Sequence, residues 1–110
     1  MKVKTNELSG VALDWAVARC EGVVNGDALD IGFIKEGGYT PSTDWGQGGP
    51  IIEREQIAIY LGDEDEWTGL DGWKKGTGPT PLIAAMRCYV ASKLGDEVEV
   101  PDELLEGESK

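Results

Sequence analysis

Two stretches of the chain carry residues that could bind a ligand. The first, residues 42–50, is rich in glycine and hydroxyl side chains and has aromatic residues beside it. Glycines let backbone amides approach a ligand closely, and aromatic rings offer stacking faces. This composition favours a planar polar molecule such as a nucleotide. The candidates for the base side of such a ligand are Tyr39, Ser42, Thr43, Asp44, Trp45 and Gln47.

A structural role explains the same stretch equally well. Asp44 could hydrogen-bond within its own turn, and Trp45 could fill the core beneath a long loop. The glycine spacing matches neither a dinucleotide-binding fingerprint nor a phosphate-binding loop. Both interpretations therefore stay open.

The second stretch leads into a predicted helix at residue 81. Free amides at a helix N-terminus create a positive spot that can hold phosphate, and Lys74 and Lys75 lie just upstream. Ordinary helix capping is the alternative, and Arg87 could instead pair with Asp14 or Glu55. If the two stretches meet, one site could hold base and phosphate together. The candidates for its anionic side are Thr77, Gly78, Thr80 and Arg87.

Catalysis and metal binding are less favoured. The chain has no histidine, and Cys20 and Cys88 lie in apolar patterns, so the usual nucleophilic triads are unavailable. Glu53, Glu55 and residues 63–66 could serve acid–base chemistry or a divalent ion. They are also typical of a solvated edge, and residues 63–66 lack calcium-loop spacing. We predict no catalytic residue, metal or cofactor.

Net charge excludes one class of partner. At −11 the chain repels phosphate, so binding along a nucleic-acid backbone is not expected. Acidity is typical of a soluble surface, and a basic protein partner or nucleic-acid mimicry are the alternatives. No apolar run approaches ~18 residues and no signal peptide is recognisable, which predicts a reduced cytoplasmic protein without membrane contact. A Cys20–Cys88 disulfide requires their two helices to pack at that level.

Local signals predict an α+β fold. A helix over 81–94 has Thr80 as N-cap, Pro81 at its first position and Gly95 past its end. A second helix follows Ser9 and stops at Gly22. Extended segments are predicted at 1–5, 51–55, 56–61, 67–73 and 97–100, a turn at 25–27, loops at 42–50 and 74–79, and a helical turn at 101–105. Residues 28–35 fit a strand or an irregular segment.

These elements predict one α+β domain over residues 1–105 and a frayed tail over 106–110. Two main helices pack on a small, mostly antiparallel sheet, with a long glycine-rich loop. A domain of this size is commonly stable by only ~5–15 kcal/mol, so we expect a homo-oligomer that buries a further face.

Residues 42–55 and 79–95, together with 8–15, resemble the NinX-like family of small proteins from tailed bacteriophages and prophages. The resemblance extends from Met1 to about Leu105, and Gly46 stands where alanine is expected. It implies a non-essential accessory protein made in the cytoplasm of the infected bacterium. The family's function is unknown, so it implies no catalytic residues.

Two functional hypotheses follow. The first is binding, without turnover, of a small phosphate-bearing ligand such as a nucleotide immune signal, which would counter a host defence. The alternative is an acidic inhibitor that binds a host protein or mimics nucleic acid. An enzyme ranks third.

Overall fold

The computed structural model describes residues 1–22 and 31–104. The helices are α1 (Gly10–Cys20), α2 (Ile31–Lys35), α3 (Trp45–Glu55) and α4 (Pro81–Leu94). The strands are β1 (Lys2–Lys4), β2 (Ala58–Leu61), β3 (Trp67–Asp71), β4 (Lys74–Gly78) and β5 (Glu97–Glu99), with 3-10 turns at Thr5–Glu7, Asp63–Asp65 and Asp102–Leu104. The α+β class is confirmed. The predicted turn at 25–27 and the tail at 106–110 lie outside the described residues.

Helix α4 is the central element, and its predicted bounds are confirmed. The Thr80 hydroxyl accepts a hydrogen bond from Ile83 N–H at 3.1 Å, and Pro81 occupies the first turn, where its missing N–H costs nothing. Gly95 ends the helix with a φ of 92°, a conformation that favours glycine. The helix is buried around most of its circumference, through Leu82, Ala84, Ala85, Met86, Cys88, Tyr89, Val90 and Ala91.

Helix α1 packs against α4, as predicted. It begins after Ser9 and ends before Gly22, whose φ is 80°. Leu8, just before the N-cap, and Leu13, at the fourth helical position, have the spacing of a hydrophobic staple, and both are buried. Small residues such as Ala12 and Ala16 let the two helices approach closely.

The antiparallel sheet β2-β3-β4 covers another face of α4, and glycines set its distance. A Cβ atom placed on Gly76 would lie 2.6 Å from the Ala84 carbonyl oxygen, and one on Gly69 would lie 3.0 Å from the Ala85 Cα. Only residues without a side chain allow this approach. The predicted loop at 74–79 is therefore wrong over β4, where glycine serves packing and not a turn.

Strands β1 and β5 form a separate antiparallel sheet, with Val3 opposite Val98. The predicted strands at both ends of the chain are thus confirmed, although two sheets replace the single sheet expected. The Thr5 hydroxyl donates to the Gly95 carbonyl at 2.6 Å and ties this sheet to the end of α4.

The glycine-rich stretch is helical from residue 45, so the predicted loop at 42–50 and extended segment at 51–55 are wrong there. Asp44 caps α3 by accepting a hydrogen bond from Gly46 N–H at 2.8 Å. A Cβ on Gly48 would meet the Leu82 Cδ1 at 2.7 Å, so this glycine provides helix–helix contact. Gly49 precedes Pro50, where a Cβ would be crowded in helical conformation.

The strand or irregular segment predicted at 28–35 is wrong over residues 31–35. Ile31–Lys35 forms the short helix α2, and residues 28–30 lie outside the described residues.

We predict that Gly76→Ala lowers the free energy of unfolding by about 1–3 kcal/mol, because the new Cβ would meet the backbone of α4, which cannot yield. Urea unfolding measures the change. Gly69→Ala should cost less, and Lys75→Ala, on an exposed neighbour, should change stability by less than about 0.5 kcal/mol. Equal stability of all three variants would contradict glycine-determined packing.

Candidate functional site

The two stretches singled out from the sequence touch each other. Gly48, in the first turns of α3, packs against Leu82, at the start of α4. The two helix beginnings are therefore neighbours, with Asp44 capping one and Thr80 capping the other.

Several of the residues predicted to contact a nucleotide base make structural contacts instead. Ser42 is buried, and its backbone N–H donates to the Asp14 Oδ1 at 2.9 Å. Burial raises the pKa of Asp14, and this hydrogen bond opposes the rise. The pKa of Tyr39 rises to about 12, chiefly because its hydroxyl is desolvated. These contacts stabilise the segment that leads into α3.

Gln47 is also a structural residue. Its side-chain oxygen accepts from Thr40 N–H at 2.8 Å, and its Nε2 donates to the Asp44 Oδ2 at 3.0 Å. Asp44 thus bonds within its own turn, as the structural alternative predicted. Trp45, in contrast, is 54% exposed and does not fill the core, and Thr43 is exposed beside it.

On the anionic side, Arg87 binds backbone carbonyls. Its Nε donates to the Leu8 oxygen at 2.8 Å and its Nη1 to the Thr77 oxygen at 2.7 Å. The Thr77 N–H donates to the Asn6 Oδ1 at 2.8 Å, and its Oγ1 accepts from the Asn6 Nδ2 at 2.7 Å. Gly78 is buried against Ile83. Arg87 and Asn6 therefore fasten the outer edge of β4.

The structure thus brings the two stretches together but leaves few of the ten candidates at the surface. The exposed ones are Thr43, Asp44, Trp45 and Thr80. A phosphate there would face the two helix N-termini and also the Asp44 carboxylate. Ligand binding at this place stays a prediction.

A second site lies on the face of β2-β3-β4 that points away from α4, and we call it the sheet groove. Its volume is about 510 Å³. The register places Tyr60, Thr68 and Thr77 in one cross-strand row along its floor. It is lined by Tyr60, Leu61, Gly62, Asp63, Glu64, Glu66, Thr68, Lys75 and Thr77.

The groove is acidic and partly apolar. Three carboxylates line it against one ammonium group, that of Lys75. Tyr60 is 48% exposed and Leu61 is 53% exposed. Thr68 is only 6% exposed as a residue, and it lines the floor of the groove between Tyr60 and Thr77.

Neither thiol is set up for catalysis. Burial raises the pKa of Cys20 to about 12 and that of Cys88 to about 11, so both stay protonated at neutral pH. They are free thiols, and no Cys20–Cys88 disulfide forms. Within residues 1–22 and 31–104, no cluster of three or more His, Cys, Asp or Glu side chains could hold a metal ion.

The structure contains a polar cluster that the sequence does not predict. Arg54 donates to Glu21 at 2.6 Å and to Glu55 at 2.9 Å, and Tyr89 donates its hydroxyl hydrogen bond to Glu21. The cluster joins the ends of α1 and α3 to α4. Glu21 and Arg54 are 33 residues apart, and no local pattern signals their contact. Arg54 pairs with both carboxylates and the Lys93 Nζ lies 3.7 Å from the Glu55 Oε1, so the charges balance, which is typical of a structural clamp.

Comparison with known proteins identifies the chain's family. The family model described as "Bacteriophage P22, NinX" matches residues 4–93. The chain belongs to this family. The match includes α1, α3, the sheet groove and nearly all of α4, and it places the chain among bacteriophage proteins. A search of the curated proteins finds no match.

The match carries no assigned activity. Among the described residues, no helix is both long and apolar enough to cross a membrane.

We predict that Glu21→Gln removes a pH-dependent part of the stability. The Arg54 hydrogen bonds hold the pKa of Glu21 below its usual value of 4.5, so the stabilisation is present above pH 4.5 and is lost as pH falls through the lower folded-state pKa. Urea unfolding midpoints of the wild type and the variant should therefore differ at neutral pH and converge in acid.

Glu97→Gln is the control for this experiment, because it removes the same charge from an exposed carboxylate in β5. Its offset from the wild type should not show this convergence. A constant offset for Glu21→Gln at all pH values would refute the clamp.

Proposed function

We propose that this phage protein acts by binding and that the sheet groove is its contact surface for a basic protein of the infected host. The observation that supports this function is the joint presence of three carboxylates and the exposed Tyr60 in one groove, with Leu61 exposed at the adjoining strand edge. Such a protein would inhibit or sequester its partner in the host cytoplasm. No catalytic residue is needed for this role.

The groove attracts a basic partner through its charge and holds it through apolar contact. The carboxylates, together with the net charge of −11, attract a basic partner over a distance and disfavour acidic ones. Tyr60 in the groove, and Leu61 at the strand edge beside it, supply apolar area that holds the partner once it has arrived, and tyrosine is enriched at interfaces for this reason. Charge alone would give weak, unspecific attraction.

We predict that neutralising the groove abolishes capture of such a partner. The triple variant Asp63→Asn, Glu64→Gln, Glu66→Gln should lose a basic host protein that the wild type retains from an infected-cell lysate and releases as salt is raised. Affinity capture with mass spectrometry measures this.

The matched control is Glu36→Gln, Glu53→Gln, Glu103→Gln, which changes the charge equally at exposed positions outside the groove. This variant should still capture the partner. Equal capture by both triple variants would refute a role for the groove.

A phosphate-bearing small molecule at the joined beginnings of α3 and α4 is our second candidate. The contact between Gly48 and Leu82, with Trp45 exposed beside it, favours this candidate. The positive dipole ends of two helices would face the phosphate, and Trp45 would stack on the base. A nucleotide immune signal is the ligand we propose, held without turnover as a counter-defence.

For this second candidate, a thermal-shift screen with nucleotides and cyclic nucleotides is the test. A ligand about 100-fold above its Kd stabilises the folded state by about 2.7 kcal/mol, so a binder should raise the Tm clearly. Trp45→Ala should lose the shift and Trp73→Ala, at a 94% exposed indole on the β3–β4 turn, should keep it. No shift with any compound would remove this candidate.

Self-association is likewise a proposal. Phe33 is 45% exposed and Trp73 is 94% exposed, so apolar surface is present that a second copy could cover.

A further inference from the structure

The two outer edges of the three-stranded sheet differ. In β3–β4, the register places Asp71 opposite Lys74 across a two-residue turn, and in β2–β3 the Gly62 N–H donates to the Glu66 oxygen at 2.7 Å. Hydrogen-bonded and non-bonded pairs alternate along an antiparallel ladder. It follows that the backbone groups of Lys75 and Thr77 point outward from β4, while those of Ile59 and Leu61 point outward from β2.

On β4, the outward groups of Thr77 have partners, whereas those of Lys75 make no hydrogen bond within the described ranges. Thr77 N–H donates to Asn6 and Thr77 oxygen accepts from Arg87. The outward groups of Ile59 and Leu61 make no hydrogen bond to any residue in the described ranges. An open strand edge of this kind is a template for a further strand.

The sheet groove adjoins this open edge. Tyr60, between Ile59 and Leu61, lines it, and Thr68 lies next to Tyr60 across the ladder. Asp63, Glu64 and Glu66 surround the end of β2. Their charge disfavours pairing with a second copy of this acidic chain and favours a cationic segment.

We propose that β2 receives an extended segment of a partner protein as a fourth strand, with lysine or arginine side chains on its groove-facing side. This inference rests on the proposed function of the sheet groove and specifies how it is filled. Added strands lie about 4.8 Å apart, so alternate side chains of the segment reach the Thr68 hydroxyl and the carboxylates. The intervening side chains lie beside Ile59 and Leu61, where apolar residues fit.

Two variants at one position test the backbone contact. Leu61→Pro removes the outward N–H, whereas Leu61→Ala keeps it and also removes the leucine side chain. Leu61 is opposite Trp67 in a non-bonded pair, so neither change removes a β2–β3 hydrogen bond. The probe is a capped peptide of about eight alternating lysine and valine residues, the length of an ordinary strand.

Calorimetry with the full chain should show that Leu61→Ala binds this peptide within about threefold of the wild type and that Leu61→Pro binds at least about tenfold more weakly. Thr68→Val, which preserves shape, should weaken binding about threefold to tenfold. A glutamate–valine peptide should not bind. A lysine peptide of equal charge interrupted by proline should bind at least about tenfold more weakly.

Amide hydrogen exchange of the wild type gives a readout that does not depend on how Leu61→Pro folds. The amides of Ile59 and Leu61 should become protected when the lysine–valine peptide is added. Protection that rises with protein concentration alone would assign the edge to a second copy and overturn the proposal. Equal binding by the two Leu61 variants, or by the proline-interrupted peptide, would also overturn it.

The outcomes distinguish a failure of the proposed function from a failure of strand addition alone. If Asp63→Asn, Glu64→Gln, Glu66→Gln still captures the host partner, the proposed function fails. If that variant loses the partner while Leu61→Pro behaves like Leu61→Ala, the groove binds proteins but strand addition is wrong.

Discussion

The contact between a glycine-bearing hairpin and helix α4 determines the rest of this structure. At Gly69 and Gly76 the sheet backbone lies so near the helix that an added Cβ would reach its backbone atoms. On the helix side, Ala84 and Ala85 have small side chains that allow the same close contact. Dispersion attraction weakens quickly with separation, so the close approach is itself a source of stability. It also fixes which sheet face is covered and which one faces outward.

Among the described residues, side chains cover the outward backbone groups of Thr77 at the β4 edge but none at the β2 edge. Arg87 and Asn6 come from different parts of the chain and together satisfy Thr77 at the edge of β4. The edge of β2 has no such cover among the described residues. An acidic turn lies next to it, and acidic side chains are one way in which proteins protect an open edge from copies of themselves. The same charges define which partner chemistry fits there.

The fold could be predicted where signals are local. Thr80, Pro81 and Gly95 each act within a few residues of the helix end they mark, and α4 has the predicted bounds. Loops were predicted wrongly around Gly48 and Gly76. A glycine can mark either a turn or a place where two backbones come close, and the second case depends on residues that are distant in the sequence. The outcome at the candidate site has the same cause. The hypothesis left open whether residues 42–50 meet the start of α4, and it did not predict that nearby backbone groups bind Arg87 and Gln47.

The order of elements along the chain has a consequence for how the molecule assembles. Strands β2 to β4 and helix α4 follow one another without interruption, so their contacts close short loops. The pairing of Lys2 with Glu99 closes nearly the whole described chain and carries a larger entropic cost. We therefore expect the glycine hairpin and α4 to form the folding nucleus, with the terminal sheet added last.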